Sequence, residues 1–386
     1  MNLINDTQTL SAVCNRIAEE PYVAIDTEFL RNKTYYSKLC LVQLAGEHDV
    51  VAVDILAPDI NPMPLFDLMA NHNVLKVFHA ARQDTEIFVH MTNQVPVPMF
   101  DTQVAGMVCG LGNAVSYDRM VRVITGVILD KSYRFTDWSQ RPLSTQQIDY
   151  ALGDVIHLRP CYECLSNRLI KTNRLKWLEE EMAILTDIST YIIKPEECWK
   201  RIKTRSNKQN FLVVLRALAA WRELKAQKSD IPRNYILKDD ALVYIASQLP
   251  TSSTELSCSQ FFNRKSLNNR MIKEILEVIK IALESPKNTW PKAIPNQGKA
   301  QERQPIVEML QVLLKLQCKK YNVAPKLVAN ANDLDAIAAE DTADLPAMKG
   351  WRREIFGKVA LAVKQGKLAF AFDTINNRLT LIKVPK

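Results

Sequence analysis

The chain has 386 residues, 47% hydrophobic and 24% charged, with a net charge of +8. That length is enough for two or three domains, and the composition excludes a disordered or low-complexity protein. No uncharged apolar run approaches the ~20 residues a membrane helix needs. The start, MNLINDTQTL, lacks the basic-then-apolar pattern of a secretory signal, so a cytoplasmic protein without a membrane partner is expected.

The charge is unevenly placed. Residues 1–195 hold 17 Lys+Arg against 23 Asp+Glu, whereas residues 196–386 hold 33 against 19. An acidic half joined to a basic half suggests a metal site with an arm that grips a polyanion. The eight cysteines are scattered, and Cys161-x-x-Cys164 lies in a helical pattern with no second pair, so both read as reduced packing thiols.

Val23-Ala24-Ile25-Asp26-Thr27-Glu28-Phe29 reads as a buried strand, and Asp26 and Glu28 project from the same face of it. Adjacent carboxylates repel, and burying them is costly unless a cation joins them. Alone, such a pair reads as a solvated strand end. Leu39–Ala45 and Val50–Ile55 are further short strands, which together with the first predict an antiparallel meander. Pro62–Ala70 reads as a helix, Val74–His79 as a fourth strand, and Ala81–His90 as a helix with Asp84 near its first turn. An acid there also complements the helix dipole, so Asp84 by itself says little.

Residues 99–142 are less regular, with a helix at Asp118–Ile124 and a loop from Leu129 to Leu143. The loop interleaves Lys131, Arg134 and Arg141 with Tyr133, Phe135 and Trp138. Cations and aromatics together suit phosphates and stacked bases, which makes the three cations candidate nucleic-acid contacts and Trp138 a packing residue. Ser144-x-x-Gln147 is a capping-box pattern opening a helix through Ile148, Leu152, Val155 and Leu158. On that helix Tyr150 and Asp154 share a face, and Asp154 is an acid among apolar neighbours. His157 reads as helix surface or a supporting group.

Three stretches now carry a resemblance. D-T-E on the strand, H-A-A-R-Q-D at a strand–helix junction and Y-A-L-G-D on the helix resemble, in that order, the three motifs of the DEDD exonucleases. Tyr150, four residues before Asp154, fits the tyrosine subclass, and the loop L-D-K-S-Y-R-F-T-D-W-S-Q-R-P-L-S is similar to that of the ribonuclease D family. The resemblance implies an α/β exonuclease domain over residues 1–195, a ribonuclease H-like mixed sheet flanked by helices. It implies metal-dependent 3′–5′ hydrolysis of RNA releasing nucleoside 5′-monophosphates, with tRNA precursors as substrates. Two divalent ions, Mg²⁺ or Mn²⁺, follow from it: Asp26, Glu28 and Asp154 would hold one, with Asp26 bridging to a second assisted by Asp84. Tyr150 would orient the attacking water. The chemistry agrees, because a pair of hard divalent ions both activates water and holds charge on the leaving oxygen, and such ions prefer carboxylates. A DNA exonuclease of the same superfamily and an inactive nucleic-acid-binding relative are the alternatives.

Leu165–Asp187 predicts a long helix closing this domain, and a basic linker runs from about Tyr191 to Lys208. Helices follow at Phe211–Lys228, Asp239–Leu249 and Leu267–Leu283, and the proline-rich residues 286–298 mark a boundary. W-R-E-L-K-A-Q-K-S-D-I-P-R-N resembles the helical domain shared by helicases and ribonuclease D (HRDC). A weakened copy follows at an offset of 92 residues, with Leu334, Ile337 and Ala338 echoing Leu242, Ile245 and Ala246. Two small all-α domains are therefore expected, at 208–288 and 300–372, in a monomer. The tail Leu368–Val384 reads as a hairpin.

Overall fold

A computed structural model describes residues 2–257, 269–292 and 298–385. The first half is built on six strands: β1 (Leu3–Ile4), β2 (Tyr22–Leu30), β3 (Lys38–Ala45), β4 (Val50–Asp54), β5 (Leu75–Phe78) and β6 (Met99–Asp101). They form one mixed sheet in the order β1-β4-β3-β2-β5-β6. β2, β3 and β4 make the antiparallel meander expected from their spacing, while β1, β5 and β6 add on in parallel. Around the sheet lie α1 (Thr7–Ile17), α2 (Met63–Ala70), α3 (Arg82–Thr92), α4 (Thr102–Val108), α5 (Tyr117–Thr125), α6 (Thr145–Ile156), α7 (Leu158–Lys171) and α8 (Leu175–Thr186).

Strand alternation sorts the core. Val23 and Ile25 of β2 point to one face, packing with Leu10, Leu65 and Phe88 of α1, α2 and α3. Ala24 and Ala45 point to the other, toward Val155 and Leu158. Farther along that second face, Leu41 and Ala52 pack with Trp138, Ala151 and Leu152. Between these two apolar patches stand Asp26, Gln43 and Glu28, so the sheet carries a polar row inside a covered face. At Glu28 the β2–β3 register shifts by a residue, a bulge that increases local twist where the acids lie.

Some expectations are corrected. The helix after Ser144 carries the capping box with Gln147, but it ends at Ile156 instead of running through Leu158. The single helix expected over Leu165–Asp187 is α7 and α8, divided where Asn173 adopts a left-handed conformation that its short polar side chain tolerates. Helices α1 and α4 and strands β1 and β6 are additional to those expected. Arg141, one of the three candidate contact cations of its loop, is engaged within the fold. Its guanidinium forks onto Asp54, with Nε–Oδ2 at 2.6 Å and Nη2–Oδ1 at 2.5 Å, and also donates to the carbonyls of Cys40, Trp138 and Gln140. It clamps the end of the loop to the sheet, beside the buried Trp138.

The second half contains α9 (Gln209–Ser229), α10 (Arg233–Ile236), α11 (Asp239–Gln248), α12 (Ser253–Ser257) and α13 (Asn269–Glu284) around one core. The linker is not loose there: Cys198 and Ile202 are buried in that core, at a 3₁₀ turn over Pro195–Arg201. The start of the expected 267–283 helix, and most of the proline-rich boundary after Lys292, lie outside the described residues. A further core gathers α14 (Gly298–Tyr321), α15 (Pro325–Val328), α16 (Ala331–Ala339), α17 (Gly350–Arg352) and α18 (Lys358–Lys364). Hairpin strands β7 (Leu368–Asp373) and β8 (Arg378–Lys383) add Leu368, Phe370 and Leu381 to it. This last unit is therefore not all helix, and a boundary at 372 would cut through β7.

The repeat seen in the sequence recurs in the backbone. Asp230 and Asn322, 92 residues apart, both end long helices in the left-handed conformation, with φ of 47° and 48°. α10 and α15, and α11 and α16, begin at the same offset. Both turns dock on the first half of the chain. Asp230 Oδ1 accepts the N–H groups of Tyr35 and Tyr36, each at 3.0 Å. Asn322 Nδ2 donates to the Cys109 carbonyl at 3.3 Å, and Arg174 donates to the carbonyls of Tyr321 and Asn322. Gly110, at φ 79°, has no alternative there, since a Cβ would collide with the side chain and carbonyl of Asn322.

The Arg141 clamp is testable. Arg141→Gln leaves Asp54 and three carbonyls short of a donor, which costs on the order of 1–3 kcal/mol. The expected result is a melting temperature lower by several degrees and faster proteolysis within residues 129–143. The salt dependence of RNA binding should be unchanged; a flatter slope would return Arg141 to the phosphate contacts.

Candidate active site

β2 presents Asp26 and Glu28 beneath α6, whose Tyr150 and Asp154 are one turn apart. One carboxylate oxygen from each of Asp26, Glu28 and Asp154 lies within 4.8 Å of the others. Asp84, in the first turn of α3, is outside that trio and buried. It accepts a hydrogen bond from Thr27 Oγ1, which leaves the opposite face of β2 from Asp26. The structure thus brings the four acids to one end of β2, three as a cluster and the fourth behind it.

Their electrostatics follow from desolvation and mutual repulsion. Asp26 is held well above the ordinary carboxyl range by burial, then by Asp154, Asp84 and Glu28. Burial, then Asp154 and Asp84, push Glu28 up to about 9. Asp84 is raised to about 7 by burial against the Thr27 hydrogen bond, and Asp154 to about 7 by burial against the pull of Arg134. The Tyr150 phenol is also raised, by burial and then by Asp154, Glu28 and Asp26, so it stays protonated near neutrality. Close-packed oxygen donors that resist ionising together are a donor set a hard divalent cation fits.

Asp26, Glu28, Asp154 and Tyr150 line a cleft of about 450 Å³ whose rim carries Lys131 and Arg134. Lys131 is paired with Asp118 at 2.7 Å, and the Arg134 guanidinium lies 5.3 Å from the ring centre of Phe135. Phe135 is 91% exposed, unlike Trp138 at 2%. His157 follows the last turn of α6 and does not line the cleft, and Cys161 is buried while Cys164 is exposed.

Three supporting residues escaped the sequence reading. Asp101 accepts N–H groups from Ala80 and Ala81 at 3.0 and 2.9 Å and caps α4 through Gln103. It thereby holds Ala80 at φ 61°, the turn that launches α3 and Asp84. His79 lines the cleft between Thr102 and the Val115 carbonyl. Gln43 lies across the ladder from Asp26. Asp101-Thr102 had a capping signature, and Gln43 was a lone polar residue in an apolar run; neither reveals a neighbour without the register.

Comparison with known proteins gives the family. A family model described as 3′–5′ exonuclease matches residues 1–170, and one described as HRDC domain matches residues 211–279. Ribonuclease D of Granulibacter bethesdensis is 45% identical over 373 residues, covering 96% of this chain and 94% of its own. The chain belongs to the ribonuclease D family. Ribonuclease D of Nitrobacter hamburgensis is likewise 45% identical, over 97% of both chains. The crystal structure of Escherichia coli RNase D superposes with a TM-score of 0.80 at 25% identity, covering 94% of this chain and 98% of that one. As a member of this family the protein is a 3′–5′ exoribonuclease, with an exonuclease domain followed by a helical HRDC region. Among the described residues no helix is long and apolar enough to cross a membrane.

The raised carboxyls give stability a pH dependence. Unfolded Asp and Glu titrate near 4, so above that pH the folded form binds extra protons. Stability then falls as pH rises, and levels off above about 7 for Asp84 and Asp154 and above about 9 for Glu28. In EDTA the melting temperature should decline between about pH 5 and 9, with a shallower decline in Asp154→Asn. Mn²⁺ should restore it at the alkaline end. Parallel profiles for wild type and variant would mean the acids do not repel as placed.

Proposed function

We propose that Asp26, Glu28 and Asp154 hold a divalent cation, that Asp84 helps with a second, and that Tyr150 serves the hydrolysis of the 3′-terminal phosphodiester. The observation that carries this is the trio of partly buried carboxylates within 4.8 Å, without a lysine or arginine ion pair among the described residues. Bound there, Mg²⁺ or Mn²⁺ would supply Lewis acidity for the leaving oxygen and a more acidic water.

The remaining work falls to the chain's own groups. The Tyr150 hydroxyl, kept protonated, is a hydrogen-bond donor and acceptor for the attacking water and not a phenolate base. Lys131 and Arg134 on the rim are placed for the phosphates of the terminal nucleotides, and the cleft volume suits one nucleotide. Attack on phosphorus with departure of the upstream 3′ oxygen releases a nucleoside 5′-monophosphate. The basic second half, with 33 Lys+Arg against 19 Asp+Glu, supports a longer substrate such as a tRNA precursor. Escherichia coli RNase D is an exoribonuclease involved in structured RNA processing, which points the same way. We read the chain as a monomer of three domains: the nuclease to about residue 195, and two HRDC-like units at 208–288 and from 300 through the hairpin.

Asp26→Asn, Glu28→Gln, Asp84→Asn and Asp154→Asn should each nearly abolish turnover in a protein that still folds. Full Mg²⁺-dependent activity in Asp84→Asn or Asp154→Asn would end the assignment. Tyr150→Phe should lower kcat on the order of 10²-fold with KM little changed; a raised KM at constant kcat would make Tyr150 a binding contact. An RNA closed into a circle or ending in a 3′-phosphate should resist, and matched DNA measures the preference for RNA.

A further inference from the structure

Gln43 sits in the middle of β3 and is 0% exposed. Both ends of its amide, Nε2 and Oε1, are buried without a hydrogen-bond partner. Other buried orphans among the described residues, such as Thr85 Oγ1 and Trp138 Nε1, are single atoms; Gln43 leaves a donor and an acceptor together. An uncompensated amide in a sheet core is costly, and a leucine or methionine would fill the same space without that cost. Such a residue is explained by a group it meets in a working state of the protein.

The register says which group that is. Gln43 is directly opposite Asp26 on β2 and opposite Ala52 on β4. Residues facing each other across an antiparallel ladder project to the same side, with Cβ atoms about 5 Å apart. Two positions along its own strand, on the same side, are Leu41 and Ala45, both buried and apolar. Asp26 is thus the polar side chain directly across the ladder from Gln43, with Glu28 and the Arg141-bound Asp54 only diagonal to it, and it belongs to the cluster of three carboxylates. A carboxylate offers about four lone-pair sites, more than a cation uses, and ligating carboxylates are commonly oriented by a further hydrogen bond.

We propose that Gln43 is a positioning residue for the metal centre, its amide N–H donating to the Asp26 carboxylate when that carboxylate is engaged by a cation. The inference rests on the reading of Asp26, Glu28 and Asp154 as cation ligands. It deepens that reading by assigning a residue no motif contains. The unpartnered amide then costs stability until a cation binds, and gains its partner on binding.

That trade gives a signature that packing alone would not. Melting temperature and Mn²⁺ affinity are measured on the full chain, the first in EDTA and the second by calorimetric titration with MnCl₂. Gln43→Leu and Gln43→Met, both apolar and of similar volume, should melt in EDTA at the wild-type temperature or above it. Their Mn²⁺ affinity should be weaker by about 10–100-fold, the usual effect of losing a group that orients a ligand. Wild-type affinity in either folded variant would overturn the proposal, as would failure of both to fold, since loss of a packing residue would do the latter. If the wild type itself takes up no Mn²⁺, the cation reading of the acids fails first; if it binds and the variants bind equally, only the role of Gln43 fails.

Discussion

The repulsion among carboxylates gathered at one end of β2 is the constraint around which the nuclease half is arranged. A strand that is apolar on one face and acidic on the other cannot be packed symmetrically. The apolar face is covered by α1, α2 and α3 in an ordinary core. The acidic face is covered by α6 and α7, which divide their apolar contacts into two patches and leave the polar row between them. The neighbouring structure holds that row open: the bulge at Glu28, the Asp101 turn that delivers Asp84, and the Arg141 clamp that fixes the loop leading into α6.

The elements that the sequence placed well are those whose signal is local. The period-two strands, the Ser144 cap and the hairpin turn near the end of the chain each depend on a handful of adjacent residues. The pairing of Asp26 with Glu28, and of Tyr150 with Asp154, was readable for the same reason: each pair lies within one element, and the spacing alone puts its members on one face. What the sequence could not show was long-range. Arg141 looked like its cationic neighbours in the loop, and its distant partners on the sheet, Asp54 and the Cys40 carbonyl, distinguish it. The linker looked polar and free, yet Cys198 and Ile202 are core residues of the helical unit that follows. Gln43 shows the same limit most sharply, since its meaning lies in the residue across the ladder. The break between α7 and α8 was missed for another reason, because one asparagine in a left-handed turn is a weak signal inside an otherwise helical pattern.

The raised carboxyls also bear on how the protein is assembled. A cation held by Asp26, Glu28 and Asp154, as proposed, would relieve that repulsion and so favour the docking of α6 on β2 by mass action. The helical half contributes from outside: its two docking turns reach the nuclease at the Tyr35–Tyr36 corner and at the end of α4.

Those two turns are copies of one another in backbone but opposites in chemistry. Asp230 brings an acceptor to a corner that offers bare N–H groups, and Asn322 brings a donor to a helix end that offers a bare carbonyl. Each socket therefore reads its plug by polarity, much as a keyed connector does. An aspartate at the α4 socket would set its oxygen against the Cys109 carbonyl, and Gly110 leaves the room that the Asn322 side chain and carbonyl occupy. Each of the two helical units thereby has its own polar address on the nuclease half.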